Sequence, residues 1–178
     1  MATKKWVVDP THSEVQFKVK HLMITNVTGS FEIFQVDATT EEEDFMKAKI
    51  NFTADVNSIS TGNEQRDAHL KSADFFDAAN FPQLTFTATK YESVDNDGSY
   101  ELYGDLTIRG TTKNIKLDVE FGGVVKDPYG NTKAGFTING KIKRKEFGLH
   151  WDSVTEAGGV VVSDEVRIMC EIQLIEQQ

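Results

Sequence analysis

An all-β architecture of about eight antiparallel strands, with one or two short helices between them, is the expectation for this 178-residue chain. Two observations lead to it. Apolar and polar residues alternate with period two through most of the chain, which is the pattern of strands with one dry and one wet face. Turn-forming residues then fall between the alternating runs.

The runs follow in order. Val15, Phe17, Val19 and His21 alternate with Glu14, Gln16, Lys18 and Lys20. Alternation recurs from Met46 to Val56, with Ile50 and Phe52 on the apolar side, and from Leu84 through Phe86 to Ala88. It returns in Tyr100 to Ile108, which includes Leu106, and in Ile115, Leu117, Val119 and Phe121. Phe136, Ile138 and Ile142 carry another strand, and Val166, Ile168, Cys170, Ile172 and Leu174 carry the last. Asp9-Pro10, Asp95-Asn96-Asp97-Gly98, Arg109-Gly110, Gly122-Gly123, Asp127-Pro128-Tyr129-Gly130 and Gly158-Gly159 read as turns. One stretch departs from the pattern. Thr61-Gly62-Asn63-Glu64 matches the T-x-x-E capping box, and a helix of about two turns over Asn63 to Leu70 is expected after it. Further turns are expected from Ser72 toward Phe76 and over Thr40 to Asp44.

The chain reads as one domain, residues 1–178, with no linker or low-complexity segment. A chain of this length can bury a core without disulfide or metal staples. Its 19 basic and 28 acidic side chains leave a net charge of −9, which argues against nucleic acid and against an anionic membrane surface. The one cysteine, Cys170, excludes an internal disulfide and a thiolate metal cluster. No apolar run approaches the ~18 residues of a membrane-spanning helix. An outer-membrane barrel would crowd Lys18, Lys20, Lys47, Lys49, Lys116 and Glu120 into its lumen, so it is set aside. Without a leader segment the chain reads as cytoplasmic, or periplasmic if one was trimmed.

Eight long strands can close into a barrel wide enough for one small ligand. Twelve phenylalanines and two tryptophans can line such a lumen or fill a sandwich core, and periodicity does not separate the two. Few side chains point to catalysis. His12, His21, His69 and His150 show no metal-binding spacing. His12 reads as a cap of the Asp-Pro turn, His69 as a surface residue, and His21 as either a core histidine or a polar anchor for a ligand. Ser13 and His12 are adjacent on extended chain and point apart. Cys170 reads as a small hydrophobe. The pair Arg144-Lys145 fits a rim salt bridge or a contact with an anionic head group.

Five segments together carry a family resemblance. The first runs from Asp9-Pro10 and His12-Ser13 through Phe17 and His21-Leu22 to Gly29 and Phe31. The second is Arg66-Asp67, His69-Leu70, Ser72, Asp74-Phe75-Phe76-Asp77 and Phe81-Pro82. The third is Gly104 to Gly110 with Thr112-Lys113, and the fourth Asp127 to Gly130 with Ala134-Gly135-Phe136. The fifth is Ile142, Arg144, Phe147-Gly148-Leu149, Trp151 and Val162 to Val166. In that order they resemble the YceI-like, or polyisoprenoid-binding, proteins. The resemblance implies a lipocalin-like eight-stranded antiparallel barrel. It also implies an apolar tunnel for one polyisoprenoid or other long-chain amphiphile, and no catalysis. Lys143 departs from the family pattern and makes the mouth more basic, which would suit a diphosphate head.

On inward parity the expected tunnel residues are Phe17, Val19, Phe31, Ile50, Phe52, Phe86, Leu106, Ile108, Leu117, Val119, Phe136, Ile142, Phe147 and Trp151, with His21 and Arg144 at the polar end. The expected partner is a long-chain isoprenoid, a quinone or a fatty lipid, with no other cofactor; a homodimer is compatible. An interaction module with a packed β core is the next reading, and an enzyme acting on an isoprenoid or quinone the last.

Overall fold

The computed structural model describes residues 2–22, 24–94, 98–151 and 162–177. Within them the chain forms strands β1 (Thr3–Val8), β2 (Glu14–His21), β3 (Thr25–Phe31), β4 (Phe34–Glu41), β5 (Asp44–Asp55), β6 (Ile59–Ser60), β7 (Gln83–Ser93), β8 (Ser99–Ile108), β9 (Thr111–Lys126), β10 (Thr132–Lys143) and β11 (Val162–Glu176). Helix α1 (Glu64–Lys71) lies between β6 and β7.

These strands reduce to eight staves. β1 pairs with β4 and β2 with β3, so β1–β2 and β3–β4 are two long strands, each broken once. β4 pairs with β5 and β3 with β6, which makes β5–β6 a third broken strand. From β5 the sheet continues through β7, β8, β9 and β10 to β11, each antiparallel to the last. β11 then pairs with β1 near its C-terminal end and with β2 along the rest, closing the ring. The architecture is a closed eight-stranded antiparallel barrel, and a closed ring has no free sheet edge.

The breaks have local causes. Between β1 and β2, Pro10 starts a 3-10 turn over Pro10–His12, and the Asp9 side chain caps it by accepting from Thr11 N. His12 caps the turn as expected, with Nδ1 2.8 Å from Asp9 Oδ2. Ser13 bridges the break, since its Oγ accepts from Gln173 N at 3.0 Å on β11. Between β5 and β6 the same device recurs, with Asp55 accepting from Asn57 N.

Two local expectations are corrected. The helix begins at Glu64, one residue later than expected, and its cap lies two residues beyond Thr61. Asn63 is the N-cap, accepting from Arg66 N, while Thr61 Oγ1 donates to Asp67 Oδ1 at 2.6 Å. Asn63 holds the extended cap conformation, so its side chain rather than that of Thr61 reaches the free amides. Gly122-Gly123 is not a turn but a bulge inside β9, where the register with β10 shifts beside Gly135 and Phe136. Gly158-Gly159 lies outside the described residues, as does most of Asp95 to Gly98. Arg109 and Gly110 form the expected two-residue hairpin, both with positive φ, which matches the right-handed twist of the paired strands.

The inward faces carry the core. Trp6, Phe31, Phe86, Leu106, Val119, Phe136 and Leu174 are all buried. On the outside, Lys47, Lys49, Lys116 and Glu120 are exposed. No helix of the described residues is long and apolar enough to cross a membrane.

Candidate functional site

The lumen is hollow. An apolar cavity runs along the barrel and is partly open to solvent. Its wall on β11 extends from Val166 to Leu174, roughly 27 Å of strand at ~3.4 Å per residue. α1 and the turns after it supply Leu70, Phe75 and Phe76 at one end. Tyr100, Val119, Phe136 and Leu174 line the other.

The space survives because of glycines. Phe17 on β2 lies flat over Gly29, its register partner on β3, where any Cβ would collide with the ring. Phe86 on β7 lies over Gly104 of β8 in the same way, and Leu117 on β9 over Gly140 of β10. A large side chain laid against a glycine lines the wall instead of crossing the lumen.

Most of the residues expected at the tunnel line this cavity: Phe17, Val19, Phe31, Ile50, Phe52, Phe86, Leu106, Ile108, Leu117, Val119, Phe136, Ile142 and Arg144. Three do not. His21 keeps the inward parity of Phe17 and Val19, yet it is the last residue of β2, beyond the β11 bulge, and it is exposed. Phe147 is 1% exposed but belongs to a 3-10 turn, Arg144–Phe147, where period two does not apply, and it packs in the core outside the cavity. Trp151 lies after that turn and meets the His69 ring edge-on at 4.7 Å and the tilted Phe75 ring at 5.3 Å.

Sequence reasoning also missed part of the lining. The inward face of β11, including Val166, Ile168, Cys170 and Ile172, was legible as alternation. Val36 was legible too, in the alternation of Phe34, Val36 and Ala38. Leu70, Phe75 and Phe76 had no periodic signal, since they sit on the short helix and its exit turns.

The mouth is held by two arginines that bind backbone. Arg144 is 4% exposed. Its Nε donates to Ser163 O at 2.9 Å, its Nη1 to Leu149 O and Trp151 O at 2.7 Å each, and its Nη2 to Val162 O at 3.1 Å. The rigid fork of donors ties the end of β10 to the start of β11. Its Nε, Nη1 and Nη2 thus each donate to a backbone carbonyl, an anchoring role that neither sequence reading of Arg144 included. Arg109, at the β8–β9 hairpin, donates from Nη1 to Phe75 O at 3.0 Å and to Gly148 O at 3.1 Å. His69 is not a simple surface residue. Its Nε2 lies 2.8 Å from Asp74 Oδ2 and its ring meets Phe75 and Trp151.

The cavity's titratable side chains suit binding more than acid–base work. Burial pushes the Cys170 thiol up to about 12, so it stays protonated near neutral pH. Burial also raises Tyr100. Nearby, burial pushes Tyr91 up to about 12, and its hydroxyl donates to Ala48 O. Among the described residues the strongest carboxylate perturbation lies away from the cavity. Burial alone would raise Asp9, but hydrogen bonds from Lys133, His12 and Thr11 override it and hold the carboxyl well below the usual range. Among the described residues no group of three or more His, Cys, Asp or Glu is placed to hold a metal ion.

Comparisons with known proteins agree with this geometry. A UPF0312 protein of Staphylococcus aureus strain USA300 is 39% identical over 160 residues, 89% of this chain and 90% of that one. The crystal structure of a Campylobacter jejuni YCEI protein is 38% identical, covers 90% of this chain and 91% of that one, and superposes with a TM-score of 0.76. A polyisoprenoid binding domain from Saccharophagus degradans shares the fold, with a TM-score of 0.65 at 16% identity over 97% of this chain and 98% of that one. The YceI-like domain model matches residues 6–174, almost the whole barrel, and the chain belongs to the YceI-like family.

Proposed function

We propose that the chain is a non-catalytic carrier or store for one long-chain amphiphile, a polyisoprenoid or a similar lipid, with its tail in the lumen and its head at the mouth. The observation that carries this reading is the apolar cavity along the barrel. A long tail exposes several hundred Å² of apolar surface, and its burial returns roughly 25 cal/mol per Å² before ordering costs. The Saccharophagus degradans domain is described as polyisoprenoid binding, and this chain has that domain's fold.

At the mouth, Arg144 and the Nη1 of Arg109 are engaged by backbone carbonyls, so the exposed Lys143 is the group placed to meet an anionic head. Organic extraction of the purified protein followed by mass spectrometry tests the reading. One isoprenoid or quinone at near-equal stoichiometry is expected. Protein that yields no lipid and takes up no added prenol would instead favour an interaction module.

A further inference from the structure

The inner end of the cavity is closed by rings that cross the barrel. Phe45 of β5 is 4% exposed, and its ring centroid lies 5.0 Å from Trp6 of β1, 5.6 Å from Phe121 of β9 and 5.0 Å from Phe136 of β10. Phe121 and Phe136 stack at 5.2 Å. In the ring of eight staves β5 and β10 stand diametrically opposite, so the Phe45–Phe136 contact spans the full lumen. These rings have no glycine to lie on and therefore meet one another. Directly beyond them is a second depression, lined by Asp44, Phe45, Met46, Ser99, Tyr100 and Phe121. Tyr100 borders both spaces, and Phe45 with Phe121 separates them.

We infer that Phe45, backed by Phe121 and Phe136, is the stop that sets the longest tail the barrel accepts. This rests on the lipid-binding reading and adds a specificity-determining residue to it. Each isoprene unit gains burial until the tail reaches Phe45. Further units leave an equal length of tail in water at the mouth, so affinity stops rising with length. Shortening Phe45 joins the two spaces and moves that limit outward. Adding bulk at Val119, on the cavity side of the stop, moves it inward.

The test is competition. Delipidated wild type, Phe45→Leu and Val119→Phe are each given an equimolar ladder of all-trans prenols from geranylgeraniol upward, and the retained prenols are weighed by mass spectrometry. Circular dichroism and a melting curve confirm that each variant is folded. Wild type is expected to show a maximum retained length. In Phe45→Leu that maximum moves at least one isoprene unit longer, with retention of the first longer prenol up about tenfold, a fraction of what full burial of its added carbons would return. In Val119→Phe it moves shorter. An unchanged maximum in folded Phe45→Leu, or wild type that retains all lengths alike, overturns the stop and leaves lipid binding standing. Wild type that retains no prenol of any length overturns the lipid reading itself.

Discussion

The middle of the barrel and its closed end use the same residue type to opposite effect. In the middle, Phe17 and Phe86 lie flat over Gly29 and Gly104, and the lumen stays open. At the closed end, Phe45, Phe121 and Phe136 meet ring to ring across it. A phenylalanine on an inward face therefore lines or fills according to its cross-strand neighbour. The mouth is a third solution, in which irregular segments are held by arginine-to-carbonyl hydrogen bonds together with ring contacts among His69, Phe75 and Trp151.

The contrast can be broken from either side. The largest effect is expected from Trp6→Ala, which removes a buried ring against Phe45 and the hydrogen bond from Nε1 to Thr40 Oγ1. A loss of ~3–5 kcal/mol in urea-unfolding stability is expected, as for other buried aromatics. Arg144→Met leaves the carbonyls of Leu149, Trp151, Val162 and Ser163 without its donors, and should cost about 3 kcal/mol. Arg144→Lys should recover less than half of that, because one ammonium cannot reproduce the fork.

A smaller effect sharpens the comparison most directly. Gly104→Ala should lift the Phe86 ring off the wall, cost ~1–3 kcal/mol by overpacking and reduce prenol uptake. If prenol uptake in the folded Gly104→Ala protein equals that of wild type, the glycines are not what keeps the lumen open. The smallest effect belongs to neither region. Asp9→Asn should cost about 1–2 kcal/mol at neutral pH. Because the folded Asp9 carboxyl titrates below its unfolded value of ~3.9, its contribution is fully present above that pH and is lost progressively as pH falls from there through the lower folded value. Urea midpoints of wild type and Asp9→Asn should therefore converge on acidification.

Much of the barrel was legible as parity. β2, β5, β8 and β11 appear as alternation because each has one face on the lumen and one in water. β1 and β3 were not legible. In β1 the inward Trp6 and Val8 are flanked by Lys4, Lys5 and Val7, and in β3 the buried position between Val27 and Phe31 is Gly29, whose function is to receive a ring from another strand. Residues outside the strands were equally opaque: Phe75 and Phe76 reach the cavity from turns, and Phe147 and Trp151 leave it for the same reason.

Local chemistry along the chain was thus sufficient for the all-β class, the apolar inner face and the hairpins, because each depends on residues one or two apart. The closure of β11 on β1 and β2, the open lumen, the rings that cross it at Phe45 and the direction of the Arg144 donors depend on groups brought together from distant parts of the sequence. Periodicity records which face a side chain takes. It carries no information about what stands opposite, and that is what makes one aromatic a wall and another a floor.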